Sequence, residues 1–458
     1  MTSSETFKPK VLIIGSGLAG LSHAAILERA GIPYEIFEKA KELRPVGSAI
    51  SVGPGVMPML SQLGILEKVE AKGKLMTESF MRNEKFELIT HLDFHTEAVE
   101  RYGWPSYVIS RPALQEILLG LVPKHKIHLN KRVLSFCETG DGVMIRTSDN
   151  KTHHGNILVG ADGAYSSVRQ TMYDKMDKEG KLPSIDKKPF KYSTICLVGQ
   201  TCPLDEATYA HIDDDVCRYE GILCEDRPLC CATFTTAEKT VCWMVFEVLD
   251  SESLDKNDNF RSTNWGPEAA ETMCNQVRHI RIRENMVLGD LIDKTPKDVI
   301  CKVMLEEKIF KTWVYNRTVL IGDACHKMSP TAGLGAQCAM NDAVILANHI
   351  NTICSNEFRD VKKALKDYQA ERYPHGKKDV EGSARMSSYI KNDLLGRVLR
   401  MVMHNMPLKL WHLVRDEVSA YRPQISFLPL VEDRGTKGPI KQPSLTTTRP
   451  ANMIEKEQ

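Results

Sequence analysis

Residues 322–343, GDACHKMSPTAGLGAQCAMNDA, set Cys325 beside His326 in a stretch dense with small side chains. A thiol next to an imidazole has the residue types for nucleophilic catalysis, in which the ring takes the sulfur's proton. The surrounding residues suit a second use. Pro330, Gly333 and Gly335 let backbone run flat against a planar group with no side chain in the way. Neighbours in extended chain point to opposite sides, so Cys325 and His326 are not expected to face each other. Small buried thiols are common packing residues. Packing is the preferred reading of the pair.

A second constellation lies near the start. Val11 to Ile14 is wholly apolar, as expected of a strand covered on both faces. It runs into Gly15-Ser16-Gly17-Leu18-Ala19-Gly20, after which Leu21, Ala24, Ala25 and Leu27 favour a helix packed on a sheet. Gly31 stops that helix, and YEIFE reads as a second strand ending at Glu38. Gly15 permits the tight turn, Gly17 lets backbone approach a pyrophosphate, and Gly20 lets helix and strand pack closely. The helix N-terminus offers free N–H groups and partial positive charge to phosphate. Glu38 lies 18 residues past Gly20, where a carboxylate accepts the hydroxyls of an adenosine ribose. An acid there favours an unphosphorylated ribose, hence FAD or NAD over NADP.

Two further strands end in Asp-containing turns. ILVGADGAYSSVR (157–169) runs into Asp162-Gly163, and TVLIGDACHKMSPTAGLGAQCAMNDAVILANHI (318–350) runs into Gly322-Asp323. Arg111 stands in SRPAL, where serine caps a helix and proline occupies its first turn. Each of these also has a plain reading, Arg111 as a helix-start residue and the two aspartates as turn caps.

The three motifs in this order resemble class A flavoprotein monooxygenases of the aromatic-hydroxylase type. The 322–348 segment, and FLPLVEDRGTKG near the C-terminus, are similar to fungal FAD-dependent monooxygenases that epoxidise or hydroxylate secondary-metabolite intermediates (prenylated, meroterpenoid or indole-alkaloid). The resemblance covers most of residues 8–350 and is looser over 180–300. It implies that Glu38 holds the adenosine ribose and that the Gly47-Ser48-Ala49-Ile50 turn passes beside the cofactor. It implies further that Arg111 reaches the phosphate and ribityl region, and that Asp162 with Gly163 serves FAD and NADPH. Asp323 would accept a ribityl hydroxyl, and Ala336 would bring backbone amides to the flavin ring. The implied reaction uses bound FAD, transient NADPH and O2. A flavin C4a-hydroperoxide then transfers one oxygen atom to an apolar, electron-rich acceptor. A reductase or oxidase on the same fold, and a non-catalytic scaffold, are the alternatives. No metal is expected.

The elements that must position these residues follow. The chain has 458 residues, too long for one compact domain of ordinary size. The expected fold is α/β: a Rossmann-type FAD-binding domain with an inserted antiparallel β-sheet substrate domain and a helical C-terminal region. The boundaries read as 1–180 and 301–355 for the two parts of the FAD-binding domain. Between them lies the β-rich domain, 181–300, followed by helices over 356–430 and a polar, poorly ordered tail over 431–458. No second GxGxxG has strand and helix context, so NADPH is expected to bind in a groove of the single nucleotide fold. Within 181–300, FKYSTICLVGQT, VCRYEGILC, LCCATFTT and VCWMVFEVL read as strands of a lid over the flavin. Lys191, Tyr192, Arg218 and Tyr219 are its polar candidates, and Tyr219 is the one assigned to orient the substrate.

Lys plus Arg (60) nearly balances Asp plus Glu (59), which gives no support to a nucleic-acid partner. Thirteen cysteines without a CxxC pair suit a reducing compartment, the cytoplasm, and exclude a disulfide reductase. No signal peptide and no run of 18 apolar residues is readable. LLGRVLRMVMHNMPLKLWHLV (394–414) is apolar but interrupted by Arg397, Arg400, His404 and Pro407. It reads as helix docked on the core, or as a peripheral membrane contact.

Overall fold

The structure is a computed structural model that describes residues 7–43, 48–224, 226–249, 267–391 and 393–446. In chain order its principal strands are β1 (Val11–Ile14), β2 (Tyr34–Phe37), β3 (Ala49–Val52), β4 (Gly73–Asn83), β5 (Tyr107–Ser110) and β6 (Ile157–Gly160). They continue with β7 (Lys191–Gln200), β8 (Val216–Leu223), β9 (Leu229–Thr235), β10 (Val241–Val248), β11 (Cys301–Ile309) and β12 (Thr318–Leu320). The principal helices are α1 (Leu18–Arg29), α2 (Arg111–Leu119), α3 (Ser167–Lys178), α4 (Pro267–Val277), α5 (Leu288–Asp293) and α6 (Gly335–Asn351). Helices α7 (Phe358–Tyr389), α8 (Leu394–His404) and α9 (Leu408–Ser419) complete the C-terminal region.

The apolar runs of β1, β6 and β12 form the centre of a six-stranded sheet, in the order Val314–Tyr315, β12, β6, β1, β2, Ile127–His128. β1 pairs in parallel with β6 and β2, and β6 pairs in parallel with β12. Every residue of β1, β6 and β12 is buried, because helices cover both faces of a parallel sheet. α1 lies against α6, where the His23 ring meets the Ala343 carbonyl at 3.2 Å.

The second sheet has ten strands, running His326–Lys327, β11, β7, β10, β9, β8, β4, β5, β3, with Leu88–Asp93 added to β4. The β-rich texture of 181–300 is present, and the sheet also draws on 49–110 and 301–309. It is mixed, because β8 lies parallel to β4 across a long sequence separation. Alternation gives it two apolar faces. The back face carries Leu197, Ile222, Cys231, Trp243 and Val245, packed under α4 and α5. There the Trp243 ring covers Gly199, and its Nε1–H donates to Thr295 Oγ1 at 2.9 Å. The front face carries Cys196, Leu223, Cys230, Ala232 and Phe246, packed with Tyr389 and Ile390 at the end of α7.

In the C-terminal region α7 runs 32 residues and passes through Pro374. One expectation there needs correction. The stretch after Val431 does not trail as a polar tail as far as residue 446. Ile440 N–H donates to Ala420 O at 2.8 Å, Arg422 pairs with Asp433 at 2.8 Å, and Gln442 and Ser444 are buried. Residues 447–458 lie outside the described part.

Candidate cofactor site

Parallel pairing puts three turns side by side at one edge of the first sheet. Ile14 is in register with Gly160, and Gly160 with Leu320, so the chain leaves all three strands at the same level. Gly15 has φ +103°, and a Cβ there would collide with the Ala161 carbonyl, which only glycine avoids. A Cβ at Gly20 would collide with the Gly15 carbonyl, and one at Gly322 would stand 3.1 Å from Ala19 Cβ. Gly17 differs: a Cβ there meets nothing within 4 Å. The turn is therefore closed on the protein side and open on the outer side.

The open side is furnished. Glu38 Oε2 accepts from Ser16 N at 2.9 Å and Ser16 Oγ at 2.8 Å, while Oε1 accepts from Ala40 N at 2.9 Å. These bonds aim the carboxylate across a cavity of about 460 Å³ lined by Ser16, Gly17, Glu38, Ala40 and Gln115 among others. Gln115 donates to Ser16 O at 3.2 Å and so ties α2 to the glycine turn. Ser110 caps α2 by accepting from Ala113 N at 3.3 Å, which places the exposed Arg111 at the helix start. Arg111 N–H donates to Ser48 O at 3.2 Å, and Ala49 pairs with Ser110, so Arg111 and Ala49 adjoin. Gly47 lies outside the described residues.

The third turn closes against β3. Ser51 Oγ donates to Gly333 O at 3.2 Å, and Gly53 N donates to Gln337 Oε1 at 3.2 Å. This brings Ala336, at the start of α6, alongside β3 and the residue that follows it. Gly333 has φ +67° and Gly322 φ +62°, positions where larger residues are strained. Asp323 pairs with Lys327 at 2.7 Å on the rim. Asp162 Oδ2 accepts from Ser167 N at 2.7 Å and Ser167 Oγ at 2.9 Å, capping α3. Its Oδ1 is buried without a hydrogen-bond partner. An orphaned buried carboxylate oxygen is costly and suits a hydroxyl donor from a bound group.

Cys325 and His326 do come together, contrary to the expectation for extended chain. Residues 322–324 form a 3-10 turn, and Cys325, His326 and Asp342 bring their ligand atoms within 4.8 Å of one another. The partners still rule against nucleophilic chemistry. His326 Nε2 is 2.5 Å from Asp342 Oδ2, which also accepts from Gly322 N at 2.7 Å, and Arg372 Nε stands 2.8 Å from Asp342 Oδ1. A carboxylate so engaged by a buried guanidinium has no place for a cation. Burial pushes the Cys325 thiol well above its ordinary pKa, leaving it protonated. The group clamps the third turn to α6 and α7. Sequence reasoning missed Asp342, Arg372 and Gln115, because each sits inside a helix with no local motif.

Tyr219 lies on the front face of the large sheet, packed against the apolar cluster that includes Ala49. Its ring stacks on Phe234 with centroids 6.3 Å apart, and Phe234 is in register with Cys242, whose Sγ accepts from Ala49 N at 3.4 Å. Met76, Met81, Val198, Tyr219 and Met244 are half-buried on this face, an apolar surface adjoining β3. Burial raises the Tyr219 phenol well above its ordinary pKa, so it is a neutral hydrogen-bonding group. Arg218 pairs with Glu78 at 3.0 Å and Asp214 at 3.3 Å, outside this face. The side chains of Lys191 and Tyr192 lie outside the described part.

One glycine turn with an aimed acid, two Asp-bearing turns beside it and an apolar sheet face define a single-nucleotide-domain flavoprotein. The chain belongs to the FAD binding domain family, which matches residues 8–187 and 256–383. It is 30% identical over 390 residues to the FAD-dependent monooxygenase prhF of Penicillium brasilianum, covering 82% of this chain and 78% of the relative. It is 28% identical over 444 residues to the FAD-dependent monooxygenase atmM of Aspergillus flavus, covering 93% and 88%. Among solved structures, Klebsiella pneumoniae HpxO complexed with FAD and uric acid superposes with a TM-score of 0.73 at 21% identity, covering 92% of this chain and 100% of that one. CtdE in complex with FAD and a substrate gives 0.69 at 19% identity, covering 90% and 97%. The protein is an FAD-dependent monooxygenase.

Proposed function

We propose that this flavoprotein uses NADPH and O2 to place one oxygen atom on an apolar, electron-rich secondary-metabolite intermediate, as an epoxide or a hydroxyl. The other oxygen leaves as water, with both electrons taken from NADPH. The convergence of the three turns carries this reading, together with the outer space at Gly17 and the orphaned Asp162 Oδ1. When bound, FAD supplies the redox chemistry and the reactive oxygen. The chain's own part is positioning. The α1 N-terminus and Gly17 receive the pyrophosphate, Glu38 the adenosine ribose, and Arg111 the phosphate and ribityl region. Asp162 and Asp323 would accept hydroxyls, and the backbone from Gly333 to Ala336, beside Ala49, would hold the ring. The N-terminus of α6 there favours negative charge on the reduced ring by about 0.3–1 kcal/mol, up to about 2 where partly buried.

The half-buried face around Tyr219 and Met244 supports an apolar acceptor, with the neutral phenol orienting it. The free, mostly buried cysteines suit the cytoplasm, and peripheral membrane contact through 394–414 belongs to the same reading. The test is purification with FAD and turnover under isotope-labelled dioxygen. The expected product carries one labelled oxygen atom per NADPH consumed. Product without label would assign the fold to a reductase or oxidase instead.

A further inference from the structure

Helix α8 is apolar on two opposite sides. Leu399 and Met403 pack inward with Tyr389, Ile390 and Phe246 on the front face of the large sheet, the cluster that also holds Tyr219. The other side bears Leu394, Val398, Met401 and Val402, and Leu410, Leu413 and Val414 continue it on α9. Leu394 is 79% exposed, Met401 62% and Leu413 65%. Seven of the nineteen large apolar side chains exposed in the described residues fall within 394–414. Their spacing of three and four residues is that of a helix face, so the exposure is a stripe and not scatter. Docking on the core uses only the inward side and leaves the outer stripe without a structural purpose.

Charge around the stripe indicates what covers it. From Leu394 to Val414 there is no Asp or Glu, while Arg397 and Lys409 are exposed beside the apolar residues. Arg400 is turned away, donating to the carbonyls of Tyr389 at 2.8 Å and Lys391 at 2.6 Å. The acids at the borders are engaged: Asp393 caps α8 through Gly396 N at 2.7 Å, and Glu417 faces Lys378 at 3.2 Å. His404 is held to the Ile89 carbonyl. A second copy of the chain would bring Arg397 and Lys409 near their own counterparts. An anionic lipid surface complements them and accepts the apolar stripe at its headgroup boundary.

We propose that α8 and α9 rest on an anionic bilayer surface, with α8 as the wall between that bilayer and the apolar face that holds the acceptor. This rests on the reading of that face as the acceptor's, and it names the lipid phase as the side from which an apolar acceptor arrives. No helix in the described residues is long and apolar enough to cross a membrane, so the contact is peripheral.

The experiment uses the full chain with FAD bound, sedimented with vesicles of phosphatidylcholine alone or mixed with phosphatidylserine. The parent is expected to pellet with the mixed vesicles, and salt should weaken that binding. The double variant Met401→Glu/Leu413→Glu is expected to lose at least about tenfold in vesicle affinity. Leu134→Glu, a charge placed at an exposed apolar site elsewhere, should bind as the parent does. Flavin absorbance and far-ultraviolet circular dichroism establish that each variant is folded. A parent that stays in the supernatant with both vesicles overturns the proposal, as does binding undiminished in the double variant. A parent dimer in sedimentation velocity that the double variant dissolves, without vesicle binding, also overturns it and assigns the stripe to a second copy. Failure of the oxygen-labelling test leaves vesicle binding untouched, so the two failures are distinguishable.

Discussion

Gly17→Ala separates a cofactor cradle from an ordinary tight turn. Gly17 is the N-cap of α1 with φ −70° and ψ −177°, extended values that alanine adopts freely. The added Cβ meets nothing in the chain within 4 Å. Alanine is a poorer N-cap than glycine, and its lower unfolded-state entropy offsets about 0.4–1 kcal/mol of that loss. The net effect on the apoprotein is thus within about 1 kcal/mol, or roughly 1 °C in melting temperature for a chain of this length. In the bound state the methyl group stands where a pyrophosphate approaches the helix N-terminus. Losing one charge-assisted N–H to phosphate bond costs about 1.5–3 kcal/mol, roughly 10- to 150-fold in flavin Kd. Gly20→Ala gives the contrast, because its Cβ collides with the Gly15 carbonyl and destabilises the apoprotein by about 1–3 kcal/mol. Flavin titration by fluorescence and melting of the apoproteins measure both quantities. The reasoning is refuted if Gly17→Ala binds FAD as the parent does, or if its apoprotein melts as low as Gly20→Ala.

Glu38→Ala should weaken FAD binding by about 1.5–3 kcal/mol, since the carboxylate that Ser16 and Ala40 orient is removed; Glu38→Gln should fall between, and titration of each variant measures it. Burial lowers His23 to about 4 against an ordinary value near 6.5, despite the Ala343 carbonyl at its ring. The unfolded chain therefore binds the extra proton first, and stability falls from pH 6.5 toward about 4, by about 3 kcal/mol in full. Melting curves across that window should flatten in part in His23→Gln, with His375, also lowered to about 4 by burial, supplying a second contribution. Asp342→Asn leaves the buried Arg372 guanidinium with only the more distant Asp379 carboxylate at 3.4 Å and should destabilise by about 3–5 kcal/mol, read as a fall in urea midpoint. Tyr219→Phe keeps the apolar face and removes the hydroxyl, so NADPH oxidation should persist while the share lost as peroxide rises, measured by a peroxide assay beside product yield.

What was legible depended on whether a residue's reason is local. Gly15, Gly17 and Gly20 are demanded by one turn and its helix, so their spacing announces them; the strand ends at Asp162 and Asp323 are similar, each an apolar run broken by a turn. Parallel pairing of three such strands then follows from their being buried on both faces. The large sheet was legible as strand texture but not as a partner list, because β4 and β8 meet across more than a hundred residues and alternation says nothing about which edge a strand joins. Cys325 and His326 show the limit sharply. Their side chains were placed apart on the assumption of extended backbone, and the 3-10 turn at 322–324 rotates them toward Asp342. That turn is held from outside, by an aspartate inside α6 and an arginine inside α7, and neither is distinguishable by spacing from surface charge on a helix. The packing reading survived for a reason other than the one given: the ring is engaged by the carboxylate, the carboxylate by the guanidinium, and the thiol, raised by burial, keeps its proton. Local motifs thus identify where a cofactor lies, while the residues that hold the motif in shape come from helices whose own sequences carry no mark of the task.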